Sequence, residues 1–148
     1  MRLIGKSTGT IDLKSRVSLP AKYRKQLPAE LVITKSPDTE LPSLVIYTSD
    51  GFDSWMEEIL ESKNAYRANN QDLEAIIQKY CENAEDIKVD GVGRILIPVE
   101  LREYAQIEKD VVFSGALDHL IVRSAEIWEK NQKRMETVTP YDNKPTQA

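Results

Sequence analysis

The chain has a single cysteine, Cys81, so an internal disulfide framework is excluded and a reducing cytoplasm fits. It also has a single histidine, His119, and no Cys, Asp or Glu is spaced with it as metal ligands or base partners are. His119 therefore reads as a surface or loop residue, and Cys81 as a packing residue beside the apolar face of a helix. No apolar run approaches the roughly 20 residues that span a bilayer, and no long apolar stretch follows Met1-Arg2-Leu3, so neither a membrane nor a secretory signal is expected. Gly91-Val92-Gly93 falls far short of a phosphate-cradling loop, and no Walker pattern occurs. No catalytic constellation, metal site or cofactor motif is found, and the chain reads as a non-enzyme without a small-molecule substrate.

Surplus positive charge is also lacking, since the net charge over 148 residues is −4. Its distribution is uneven. Residues 1–27 carry Arg2, Lys6, Lys14, Arg16, Lys22, Arg24 and Lys25 against Asp12 alone, a balance of +6 that leaves −10 for the rest. A basic segment on an acidic body suits phosphate binding, although a merely solvated lysine-rich surface gives the same count.

The chain contains a second copy of its beginning. Residues 10–24 align with residues 88–102 at a constant offset of 78, with Asp12/Asp90, Arg16/Arg94, Pro20/Pro98 and Arg24/Arg102 identical. Ile11/Val89, Val17/Ile95, Leu19/Ile97 and Tyr23/Leu101 keep their apolar character. Two copies are too few for a solenoid and fit a pseudo-symmetric domain. Each copy continues alike. A short helix follows the proline (21–27 or 99–105), since proline suits the first helical turn. Two Val/Ile-rich strands come next (31–33 and 44–47, or 111–113 and 120–122). A helix capped by Asp53 or Ser124 closes each copy, with Trp55 and Trp128 in similar places. Between the copies, Leu73, Ile76, Ile77, Tyr80 and Ala84 mark one face of a further helix over about 71–83. The expected organisation is a first half-repeat at 1–62, a connecting helix at 63–84, a second half-repeat at 85–135 and a mobile tail at 136–148.

The chemistry concentrates in Asp-x-x-x-Arg followed by an apolar–x–apolar–Pro strand, at Asp12–Pro20 and Asp90–Pro98. A strand leads in, a tight turn carries basic or small residues, and a strand leads out. Asp12 and Asp90 can accept from backbone N–H groups two residues on and shape the turns. Gly91 and Gly93 permit positive φ. Leu96, standing where the first copy has Ser18, suggests a second strand covered on both faces.

These features resemble the MraZ family, within the wider AbrB/SpoVT-like group of swapped-hairpin DNA-binding domains. The likeness spans about residues 1–135. It includes Gly5, both Asp-x-x-x-Arg motifs, the run Gly93–Pro98, and Gly115 ahead of Ile127-Trp128. It implies an α+β fold with a mainly β core, built as tandem double-psi or swapped-hairpin β-barrel half-repeats with short helices, interlocked as a pseudo-dimer. It further implies a ring-shaped homo-oligomer on double-stranded DNA, repressing a cell-division and cell-wall gene cluster through short upstream repeats, and hence a cytoplasmic, nucleoid-associated protein. Ser15 stands where the family usually has glycine, which stiffens or re-aims the first turn. Val92 stands where a basic or polar residue is common.

The candidate DNA contacts are Arg16, Lys14, Lys6, Arg2 and Arg94; for Arg16 and Arg94 the alternative is pairing with their own aspartates. Arg24 and Arg102 suggest an ion-pair or helix-end role, with DNA or subunit contact second. An antitoxin-like relative fits two full repeats poorly. The rival of another class is an oligomeric interaction scaffold without DNA function.

Overall fold

The computed structural model describes residues 1–65 and 70–141, with the side chains of 63–65, 70 and 71 left aside. The last residues of the expected tail, 142–148, lie outside the described residues. The elements run β1 (Lys6–Thr10), β2 (Arg16–Ser18), α1 (Ala21–Arg24), β3 (Glu30–Lys35), β4 (Leu44–Thr48), α2 (Ser49–Ala65), α3 (Asn70–Glu82), β5 (Glu85–Lys88), β6 (Arg94–Leu96), α4 (Val99–Tyr104), β7 (Asp110–Gly115), β8 (His119–Ser124) and α5 (Ala125–Met135).

The strands form a six-stranded sheet in the order β1-β7-β8-β4-β3-β5 and a two-stranded ribbon, β2-β6. Every pairing is antiparallel. Exchanging each early strand with its later counterpart reverses the sheet order onto itself, which is the mark of a pseudo-dyad. The axis passes through the ribbon where Val17 stands opposite Ile95, and through the sheet where Val45 stands opposite Ile121. The expected mixed fold is present, but the large sheet is open: its edges β1 and β5 do not pair with each other, so it does not close into a barrel.

Alternation along the strands sorts side chains into two layers. Leu31, Ile33, Leu44, Ile46, Val111, Phe113, Leu120 and Val122 join Val17, Leu19, Ile95 and Ile97 of the ribbon in the main core, with Tyr23 of α1 and Leu101 of α4. Val32, Val45, Tyr47 and Val112 are buried outside that cluster, as are Met56 of α2 and Ile127 of α5. Both helices pack on the sheet.

Several expectations are corrected. The helix after β4 begins at Ser49 rather than at a cap on Asp53; Thr48 Oγ1 accepts the Gly51 N–H at 2.9 Å and caps it. Ser124 caps α5 as expected, accepting the Ile127 N–H at 3.1 Å. Register makes Leu31↔Thr48 the counterpart of Val111↔Ser124, so Trp128 corresponds to Phe52, and Trp55 corresponds to the buried Asn131. Leu96 is 51% exposed, so β6 is not covered on both faces. Cys81 is exposed rather than packed. His119 belongs to β8, stacked on Tyr47 at 4.6 Å with Nδ1 2.7 Å from an Asp118 carboxylate oxygen.

The two turns have one geometry despite their different sequences. Ser15 has φ 63° and its counterpart Gly93 has φ 86°, so the serine does not re-aim the turn; Gly91 is not in the positive-φ region. Ser15 is held there because its Oγ accepts from Arg102 Nη1 at 2.9 Å. At Gly93 a Cβ would lie 2.3 Å from Arg24 Nη1. Gly93→Ala therefore combines left-handed strain with displacement of Arg24, and it should cost about 1–2 kcal/mol. Ser15→Gly trades strain relief against one hydrogen bond and should be close to neutral. Denaturant midpoints of the two variants check this, and an unchanged midpoint for Gly93→Ala would sink the account.

Candidate nucleic-acid interface

Each motif turn is organised by its own carboxylate. Asp12 Oδ1 accepts the N–H groups of Lys14 (2.8 Å) and Arg16 (2.9 Å), and Oδ2 accepts Arg16 Nε at 3.1 Å. Asp90 repeats the pattern with the N–H groups of Val92 (3.0 Å) and Arg94 (2.8 Å) and with Arg94 Nε at 2.9 Å. Backbone bonds close both loops: Asp12 N–H donates to Arg16 O at 2.8 Å and Asp90 N–H to Arg94 O at 2.9 Å. Each aspartate thus accepts two backbone N–H groups within its own turn. Gly93 supplies the left-handed step, and Gly91 sits at the tip with open space around it.

The pairing reading of Arg16 and Arg94 is thus present, but it does not consume the arginines. Only Nε is engaged, and among the described residues the Nη groups have no hydrogen-bond partner. The Arg16 and Arg94 side chains are about one-third exposed, at 33% and 36%. An anchored guanidinium with free Nη groups is oriented in advance for a phosphate or a base edge. The ribbon register places Arg16 opposite Leu96 and Ser18 opposite Arg94. Val17 and Ile95 point into the core, so these four share the outward face. The two arginines are diagonal neighbours, about 7–8 Å apart.

Of the other candidates, Lys14 joins this face at the exposed tip of the first turn. Lys6 stands at the opposite end of β1, about 13 Å of strand away, with Nζ 5.3 Å from the Trp128 ring centroid, in a groove that Ser18 of the ribbon also lines. Arg2 is also remote from the turn: its backbone N–H donates to Gln26 Oε1 at 2.9 Å, next to the bridge between Leu3 and Leu117. Arg24 and Arg102 are braces. Arg102 donates to Ile107 O (3.0 Å) and Glu108 O (2.7 Å) beyond its own helix, and to Asp12 O (3.2 Å) in the other copy's turn. Arg24 donates to Leu19 O at 3.1 Å beside Gly93.

Sequence reading missed Leu13. It is 100% exposed at the tip of the first turn, beside Lys14. Val92, the counterpart of Lys14, is an exposed apolar residue at the other tip, at 69%. The signal was available, since an apolar residue inside a short Asp-led turn cannot reach the core.

The Arg16 N–H is the largest influence holding Asp12 below the usual carboxylate value, and the Arg94 N–H does the same for Asp90. Because folding lowers both, the stability they lend is complete above the unfolded value of about 3.9 and is lost as pH falls through the folded values. An Asp12→Asn/Asp90→Asn protein should show a flatter loss of stability below about pH 4 than the parent. Denaturant midpoints taken from pH 5 downward test this; parallel acid slopes would mean that other groups carry the dependence.

The family described as "MraZ protein, putative antitoxin-like" matches residues 81–145. A transcriptional regulator MraZ from Caldanaerobacter subterraneus subsp. tengcongensis is 38% identical over 131 residues, 88% of this chain and 87% of that protein. Its namesake from Thermoanaerobacter sp. (strain X514) is 36% identical over 129 residues, 86% and 85% of the two chains. That from Leuconostoc mesenteroides is 34% identical over 140 residues, 95% and 92%. With identity at this level across nearly the whole of both partners, the chain belongs to the MraZ family.

Proposed function

We propose that the protein is a transcription regulator that binds double-stranded DNA through the outward face of the β2-β6 ribbon. The observation that carries this reading is the pair of carboxylate-anchored arginines, Arg16 and Arg94, whose Nη groups have no hydrogen-bond partner among the described residues and lie on one exposed face. Lys14 adds charge at the first turn, and Leu13 offers an apolar contact of the kind made with a thymine methyl. The second turn carries Val92 in place of the lysine and contributes less. Its relatives bear the name of regulators rather than of enzymes, and the mechanism is non-catalytic.

One such face engages little DNA. Several identical subunits in a ring, each on one short repeat, make the binding multivalent. The repeats lie upstream of a cell-division and cell-wall gene cluster, and occupancy blocks the promoter. Half-repeats at 1–62 and 85–135 act as one unit within each subunit. The protein works in the cytoplasm at the nucleoid; among the described residues no helix is long and apolar enough to cross a membrane.

Fluorescence anisotropy against the duplex upstream of the protein's own gene, beside a scrambled duplex and across a salt series, tests the reading. The upstream duplex should bind more tightly, with affinity falling steeply as salt rises. Arg16→Ala should weaken binding about tenfold or more and lower the salt slope by about 1; Arg94→Ala should lose less. Leu13→Ser should lower the preference for the upstream duplex. Equal weak binding to both duplexes, or an Arg16→Ala protein indistinguishable from the parent, would put the scaffold reading first.

A further inference from the structure

The pseudo-dyad relates two ends of the molecule that have the same backbone and opposite charge. At the β1 end stand Lys6, Lys22 and Lys25. Their counterparts 78 residues on, at the β5 end, are Ala84, Glu100 and Glu103. Ser7 and Thr8 are replaced likewise by Glu85 and Asp86, with Thr10/Lys88 the exception. The side chains cluster as the sequence does. Lys22 Nζ donates to Lys6 O at 2.9 Å. Glu82, Glu85 and Glu100 line one recess together with Lys35, whose ammonium lies 4.4 Å from the Tyr104 ring centroid.

Each end also carries a groove at the equivalent place. Beside β1 it is lined by Lys6, Thr8, Val112 and Trp128, and it reaches Ser18 and Pro20 at the rim of the ribbon. Beside β5 it is lined by Asp86, Val32 and Phe52, with Asp53 and Cys81. The exposed apolar residues Ile4 (49%) and Leu117 (61%) flank the cationic end. Strand directions alternate across six strands, so β1 and β5 run oppositely and a second copy set end to end presents β5 antiparallel to β1.

We infer that the cationic β1 end of one subunit docks on the anionic β5 end of the next. The occupant of each end is thus a second copy of this chain, and the argument for it is charge complementarity between ends of one shape. Such a contact is heterologous: it uses two different patches, repeats from subunit to subunit, and closes into a ring when the rotation permits. Like ends repel, which disfavours the two-fold alternative. The contact runs through side chains, because Lys22 already covers the Lys6 carbonyl on the outer edge and blunts strand addition there. Lys6, set over the Trp128 ring in the β1 groove, then belongs to the subunit contact. The inference rests on the ring reading above.

Charge swapping tests it in the full-length protein. Lys22→Glu/Lys25→Glu makes both ends acidic, and Glu100→Lys/Glu103→Lys makes both ends basic. All four residues are exposed. By light scattering after gel filtration, with circular dichroism confirming the fold, each variant alone should assemble at least tenfold more weakly and run toward the 16.8 kDa monomer. An equimolar mixture should reassemble, with the two variants alternating. Variants that keep the parent's oligomeric mass, or a mixture that fails to reassemble, would overturn this interface while leaving the ring intact. A monomeric parent protein would remove the ring reading itself, and this inference with it.

Discussion

The fold depends on one constraint: neither copy of the repeat can bury its own strands. β1 pairs with β7 and β5 with β3, so each incoming strand completes the other copy's hairpin. The same exchange builds the ribbon, where three residues from one copy pair with three from the other. Val17 and Ile95, each 1% exposed, seal the core at the axis. Strands this short gain little from their own hydrogen bonds and exist because their inward side chains are buried. The outward face is then fixed by default. Alternation sends Arg16, Ser18, Arg94 and Leu96 to solvent because their neighbours must go in.

The braces extend this dependence to the turns. Arg102, carried by the second copy, donates to Asp12 O and Ser15 Oγ in the first copy's turn. Arg24, carried by the first, lies against Gly93 in the second. The recurrence of these arginines at one helix position is explained by that reciprocal contact. It also explains how the left-handed position tolerates two residue types. Where a side chain is present it accepts from the arginine, and where it is absent the arginine takes the space.

Much of this was legible in the sequence because the repeat preserves what packing and turn chemistry demand: the aspartate, the arginine, the alternating apolar pair and the proline. The parts that were not legible have separate causes. The helix starts at Ser49, four residues before the expected cap, because Thr48 Oγ1 accepts the Gly51 N–H and caps it there. The two tryptophans suggested an equivalence by identity, whereas the strand register makes Thr48 and Ser124 equivalent and Trp128 the counterpart of Phe52. Leu96 misled because an apolar residue was taken for a buried one. The openness of the sheet is a long-range property, decided by whether β1 and β5 meet, and no local pattern encodes it. The partners of Arg24 and Arg102 lie in the opposite copy, beyond any sequence window.

Duplication gives two equal halves, and the differences between them show where the common fold was free to diverge. The core kept its apolar pairs. The layer under the helices did not: Tyr47 stacks on Trp55 at 5.0 Å in the first half. Register places buried Arg123 and Asn131 at the corresponding positions in the second. There Arg123 Nε and Ser43 Oγ are both buried without a hydrogen-bond partner among the described residues, and burial lowers the arginine's pKa. The surface diverged further, with lysines facing one end and carboxylates the other. A symmetric subunit with identical ends could only repel a copy of itself or pair two-fold. Divergence in charge, on a backbone that stayed symmetric, supplies the directionality that a head-to-tail assembly needs. The ribbon lies on the axis between the ends, so docking at the ends leaves its outward arginines uncovered. On the arrangement proposed above, the end contact and the ribbon arginines would occupy adjoining surfaces, meeting at Ser18 in the β1 groove.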